Sequence, residues 1–181
     1  MAYSITDYTK KMTLIAEEEG AQLYEYLPSA FRLLAINFEK PRFVRQMRFL
    51  LEYLHRGHYK VYYLAVGGKF VGHCVVTPGG RRLSVSTKKD IVLGPYYVSP
   101  EHRGKGFAKM IVKMTLEHCT YDYKCAYDWI HDDNYASIKT SEACGFLKEG
   151  TRLKVVGLMR KLVPAEDGDN IVYKYVNNNK I

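Results

Sequence analysis

The sequence predicts one α/β domain built on a mixed sheet, and three observations carry that prediction. Residues 60–66 (KVYYLAV) and 69–77 (KFVGHCVVT) flank Gly67-Gly68, the pattern of a tight antiparallel hairpin. Strand-like and helix-like segments then alternate from Ile91 to about Ala143. Two further strand-like runs close the chain, with no internal repeat and no low-complexity tract. The 181 residues, 47% hydrophobic and 25% charged, fit one domain able to bury a core. Disordered, collagen-like and disulfide-dense architectures are excluded as descriptions of the whole chain.

Residues 1–40 carry the weakest pattern. Residues 11–16 have the makings of a first strand, and residues 20–38 space their apolar side chains in a loosely helical way around Pro28. Pro41 opens a clearer helix, because proline suits the first helical turn. Phe43, Met47, Leu50, Leu51 and Leu54 then recur at helical intervals, and Gly57 is the stop. Arg42, Arg45 and Arg48 fall off that stripe and read as a solvated face rather than an RNA surface.

After the hairpin, Pro78-Gly79-Gly80 ends the second strand and residues 81–90 form a basic, polar loop. Residues 91–98 (IVLGPYYV) read as a strand interrupted by a bulge at Gly94-Pro95, since proline removes a ladder donor. Residues 99–103 form a turn. Residues 106–119 form a helix with Phe107, Met110, Ile111 and Met114 on one face. Residues 124–130 are a short strand, and Asp132-Asp133-Asn134 supplies capping chemistry for a helix that Gly145 ends. The last two strands are expected at 148–161 and 171–176, joined by the turn-rich segment 164–170.

Lysine and arginine total 27 against 19 acidic residues, a net charge of +8. Such an excess favours an anionic partner: a phosphorylated cofactor, a nucleic acid or an anionic surface. No run of 18 apolar residues exists, so no membrane span is expected. The first twenty residues lack a secretory layout, and the four cysteines have no CxxC spacing, so reduced thiols, a cytoplasmic location and no metal site are expected. Tyrosine is over-represented, at 16 residues against 7 Phe. Half-buried rings with wet hydroxyls are the expected use.

The most informative stretch is YYVSPEHRGKGFAKM, residues 96–110. A strand feeds a glycine-containing loop that opens into a helix, which is an anion cradle. Glycines let the backbone approach a ligand, the first helical N–H groups have no intrahelical partner, and Arg103 and Lys105 add charge. The Walker pattern is absent, and the dinucleotide pattern GxGxxG fails at Lys109. Taken alone, the stretch is equally a ligand-free strand-to-helix turn.

This stretch resembles the signature of the GNAT superfamily of N-acetyltransferases: Arg or Gln, two residues, Gly, one residue, then Gly or Ala. Arg103, Gly106 and Ala108 meet it, after Val98-Ser99-Pro100. A second match follows, in which Asn134-Tyr135-Ala136-Ser137 leads to Cys144-Gly145-Phe146. The resemblance implies a single N-acetyltransferase-like domain over 1–181, with a motif-bearing core at about 60–161 and a terminal strand pair to about 177. Its sheet is expected to be mixed and mostly antiparallel, with helices on both faces.

The resemblance further implies acetyl-CoA, or another short acyl-CoA, as donor. The backbone of Arg103, Gly104, Lys105, Gly106, Phe107 and Ala108 is expected to hold the pyrophosphate. Tyr96, Tyr97 and Val98 are expected to bond the pantetheine as an added strand, with Asn134 and Ser137 touching the pantetheine arm or the cofactor end. The expected reaction is direct attack of a primary amine on the thioester, with the Tyr97 or Val98 N–H as oxyanion donor. Where many relatives carry a tyrosine acid, seven residues after the asparagine, this chain has Ser141, so a hydroxyl donor to sulfur is expected there. His131, at the end of the 124–130 strand, is the candidate base, against the plainer reading of a surface histidine. His102 is expected to be solvated, and His73 and His118 structural or exposed.

The acceptor is expected to be a small-molecule, sugar or peptide amine. Nucleic acid is not the expected partner, and the chain is a monomer or homodimer on this reading. The alternatives are a non-catalytic acyl-CoA sensor on the same scaffold and, behind it, a nucleic-acid-binding module.

Overall fold

The structure is a computed structural model describing residues 3–8, 11–38, 47, 49–50, 53, 59–157 and 161–178. The chain forms two compact units, Met1–Val76 with Pro95–Cys119, and Thr77–Gly94 with Thr120–Ile181.

In the first unit, strand β1 (Tyr3–Ser4) runs into the single-turn helix α1 (Ile5–Tyr8). Strands β2 (Thr13–Glu18), β3 (Ala21–Tyr26), β4 (Lys60–Val66) and β5 (Lys69–Pro78) follow. They pair antiparallel in that order, with β1 against the start of β5. The β4–β5 hairpin is the expected one, turning on Gly67 and Gly68 at φ 55° and 76°. β3 is a correction, since helical spacing was expected there. The strand lies between β2 and β4, and Ala21, Leu23, Tyr24 and Tyr26 are all buried. Apolar residues at both parities erase the alternation that marks a half-exposed strand.

Tyr8, Tyr96, Tyr97 and Tyr175 are half-buried as expected, but other tyrosines depart from that expectation. Tyr59, Tyr62 and Tyr63 are fully buried, and several hydroxyls bond to backbone rather than water. Tyr26 donates to the Arg32 carbonyl at 2.7 Å, Tyr59 to that of Leu33 at 2.8 Å, and Tyr3 to that of Asn37 at 2.9 Å. Tyr63 donates to the Ile36 carbonyl and accepts the N–H groups of Ala35 and Ile36. Four hydroxyls thus pin residues 32–37, whose strand-like pairing is limited to the Ser29–Arg32 bridge, onto the core. The helix expected from Pro41 lies largely outside the described residues, as do Arg42, Arg45 and Arg48. Met47, Phe49, Leu50 and Tyr53 are helical, and Phe49 joins the core with Tyr24, Tyr63 and Phe70.

The last residues of β6 (Ile91–Val98) re-enter this unit, followed by a 3₁₀ turn (Pro100–His102) and helix α2 (Phe107–His118). α2 buries Ile111, Val112, Met114, Thr115 and Leu116 and packs against β2, β3 and β4.

In the second unit, the start of β6 pairs in parallel with β7 (Cys125–His131). β7 then pairs antiparallel with β10 (Asn170–Val176), β10 with β8 (Leu147–Val156), and β8 with β9 (Lys161–Pro164). The run expected as one strand over 148–161 is two strands, because Gly157 at φ 67° leaves the extended region. Helix α3 (Tyr135–Ala143) packs on β7, and the core gathers Leu83, Val92, Tyr127, Leu153, Leu162 and Val172. Pairing is therefore mixed and mostly antiparallel, as expected for the fold class. None of the four cysteines is joined in a disulfide. Among the described residues, no helix is long and apolar enough to cross a membrane.

Candidate active site

The expected site residues fall into two sets, one in each unit. In the first unit, Tyr96, Tyr97 and Val98 end β6, and Gly72 of β5 lies against them. A Cβ on Gly72 would collide with the Tyr97 carbonyl and sit 3.3 Å from the Val98 Cα, so only glycine admits this approach. The Tyr97 ring packs beside His73, 6.1 Å between centroids, and Phe38, 6.4 Å. His73, expected to be structural or exposed, is buried among these rings and Tyr63.

Arg103 takes a defined position. Its Nε donates to the Val98 carbonyl at 3.1 Å, and its guanidinium lies 5.2 Å from the centre of the Tyr97 ring. The side chain thereby ties the loop to the end of β6. Lys105 is exposed and donates to the Glu101 carbonyl at 3.3 Å. His102, expected to be solvated, is half-buried and bonds Ser99 Oγ at 2.7 Å.

Gly104 and Gly106 adopt φ 75° and 79°, and a Cβ on either would meet nothing within 4 Å. Both therefore need glycine for their backbone conformation and present that backbone to open space. Gly106 is the N-cap of α2, and the first intrahelical bond runs from Met110 N–H to the Gly106 carbonyl. The N–H groups of Phe107 and Ala108 precede that bond, and no acidic residue lies in the first turn. Open glycine backbone, a twelve-residue helix start and adjacent cations suit a phosphate-bearing ligand.

In the second unit, Asn134 caps α3, its Oδ1 accepting the Ser137 N–H at 3.3 Å. Asn134 is exposed and Ser137 half-buried. Ser141 is fully buried, and its Oγ donates to Asp128 Oδ2 at 2.6 Å. Asp128 is the residue that sequence reasoning missed. Burial raises its carboxyl from the ordinary 3.8 to about 6, against the lowering effect of the Ser141 and Trp129 hydrogen bonds. An acid inside the apolar run CAYDWI was the available signal.

His131 stands at the exposed end of β7. Its Nδ1 bonds Asp133 at 2.7 Å, and its Nε2 lies 3.4 Å from Asp169. The Asp133 hydrogen bond, with three surrounding carboxylates, raises its pKa and favours the imidazolium. His118, in the first unit, pairs with Glu18 at 2.5 Å.

A model of the acetyltransferase (GNAT) family matches residues 21–146, from β3 to the residue before β8. The chain belongs to the acetyltransferase (GNAT) family. The match spans both glycine motifs, and the enzyme class expected from the sequence stands with it. No curated protein matches. Among solved structures, mutant forms of the spermidine/spermine N-acetyltransferase SpeG from Vibrio cholerae share the fold at TM-score 0.54 and 16% identity, covering 86% of this chain and 95% of that one. The spermidine N-acetyltransferase from Vibrio cholerae with CoA and spermine gives TM-score 0.54 and 18% identity over 79% and 80%. The smu.2055 protein of Streptococcus mutans gives 0.53 and 16% over 77% and 82%. At these identities the likeness is one of fold.

Proposed function

We propose that the protein transfers an acetyl group from acetyl-CoA to a primary amine by direct attack in a ternary complex. The observation that carries this reading is the loop from Arg103 to Ala108, two left-handed glycines opening onto space ahead of α2. A GNAT fold neighbour was solved with CoA and spermine, which supports a coenzyme A donor and an amine acceptor. When bound, the donor supplies a thioester carbonyl already activated toward nucleophiles.

The backbone of residues 103–108 holds the pyrophosphate, helped by the positive end of the α2 dipole and by Lys105. Arg103 acts mainly through its tie to Val98, keeping the end of β6 in place. Tyr96, Tyr97 and Val98 present strand backbone to the pantetheine, and a backbone N–H of Tyr97 or Val98 stabilises the oxyanion. Asn134, which caps α3 with its oxygen, and Ser137 are the residues of the second unit assigned to the pantetheine arm or the cofactor end. Ser141 has its hydroxyl hydrogen on Asp128, which argues against its direct donation to sulfur. His131 has Nδ1 on Asp133 and Nε2 toward Asp169, and these carboxylates raise its pKa, which makes it less suited as a base.

The acceptor is the amine of a small molecule, sugar or peptide. A net charge of +8 attracts the anionic donor and gives a polycation no long-range attraction. The test is thiol release, followed with a thiol-reactive dye, across spermine, amino sugars and peptide amines, alongside calorimetry with coenzyme A. Amine-dependent thiol release is expected. Coenzyme A binding without release on any amine points instead to a binding protein, and no binding rejects the cradle.

A further inference from the structure

Asp128 and Ser141 form a buried polar pair where a strand ladder ends. β6 and β7 pair at Ile91↔Ala126 and Val92↔Tyr127, and Asp128 is the next residue of β7. On β6, Gly94 turns to φ 101°, and a Cβ built there would lie 3.7 Å from Asp128 Oδ1. With no Cβ present, Oδ1 faces the backbone at which the ladder breaks. Oδ2 accepts the Ser141 hydroxyl from α3, and Tyr173 of β10 sits across from Asp128 in register. The titratable groups around the carboxylate are Tyr173 and, bearing on that tyrosine, Glu142 of α3. Among the described residues, no charged side chain contributes to the titration of Asp128 itself.

A carboxylate 4% exposed, held by the Ser141 hydroxyl and the Trp129 N–H and with Oδ1 beside the Gly94 backbone where the ladder breaks, is costly unless it is used. We propose that Asp128 takes up the proton released by the acceptor amine, and that Ser141 is the positioning residue that fixes the carboxylate. This rests on the acetyltransferase reading above. As the amine nitrogen bonds to the acyl carbon, its proton passes to Asp128 Oδ1. The carbon–sulfur bond breaks and the sulfur departs as thiolate with the electron pair. The Asp128 proton then returns to water. A group titrating near 6 is largely ionised at neutral pH and is matched to this task, whereas His131 has both ring nitrogens turned to aspartates.

The test combines rate profiles with a titration that needs no substrate. In wild type, kcat/KM, which reports groups of the free enzyme, should rise with pH through an inflection near 6, and carbon-13 NMR of the ligand-free chain should show the Asp128 carboxyl titrating there. Asp128→Asn should lower kcat about 100-fold or more while coenzyme A affinity stays within about two-fold. Ser141→Ala removes a hydrogen bond to the charged form, so both the NMR titration and the rate inflection should move to higher pH together. Asp128→Asn within about three-fold of wild type overturns the proposal, as does a rate inflection that stays put when the NMR titration moves. A wild-type chain that releases no thiol with any amine rejects the acetyltransferase reading and the proposal with it. That failure is distinguishable because every variant then reads zero.

Discussion

At Asp128, burial opposes ionisation, and the two hydrogen bonds that favour the carboxylate do not cancel it. The consequence reaches stability. The folded-state pKa, about 6, lies above the ordinary 3.8, so between these values the native state holds more protons than the unfolded chain. Any stabilising contribution is therefore complete below about pH 4 and lost as pH rises through about 6. Asparagine keeps the shape without the charge. The stability of Asp128→Asn minus that of wild type, from urea unfolding, should grow by on the order of 3 kcal/mol between about pH 4 and about pH 7. A difference that stays constant over that window would mean the carboxyl is not held against ionisation.

Among the elements, α2 carries the plainest expectation. Its N-cap, Gly106, sits in the left-handed region with open space where a side chain would project. A substitution there strains the backbone by about 1–2 kcal/mol and reaches toward whatever the helix start binds. Gly106→Ala carries the strain alone, whereas Gly106→Glu adds a carboxylate at the positive end of the helix dipole, where a diphosphate is expected. Calorimetry should show a modest loss of coenzyme A affinity for the alanine variant and no measurable binding for the glutamate variant, with circular dichroism unchanged in both. Equal losses in the two would assign the effect to strain and remove the charge argument. The same element was legible from sequence because its glycines, its cations and its apolar face agree. β3 was not, because burial on both faces gives it apolar residues at both parities. Residues 32–37 were equally opaque, since hydroxyls from Tyr3, Tyr26, Tyr59 and Tyr63 hold them and such partners leave no local pattern.

At the scale of the whole molecule, local signals were legible wherever one segment contains its own explanation: the β4–β5 hairpin, the glycine loop before α2 and the Asn134 cap. The Asp128–Ser141 pair joins residues thirteen apart on two elements, and only packing reveals it. Net charge is legible in full, because it depends on composition alone. A chain carrying +8 should bind a polyanionic donor partly through its field, over and above the local cradle. At about 100 times its dissociation constant, coenzyme A should raise the melting temperature by roughly 5–10 °C at low ionic strength. Raising salt from about 0.05 M to about 0.5 M shortens the screening length several-fold and should shrink that shift at fixed ligand concentration. Pantetheine lacks the phosphates, so any shift it gives should be insensitive to the same change of salt. The comparison separates field from fit. A coenzyme A shift that salt leaves untouched would place the whole interaction in close-range contacts and deny the charge excess any part in donor binding.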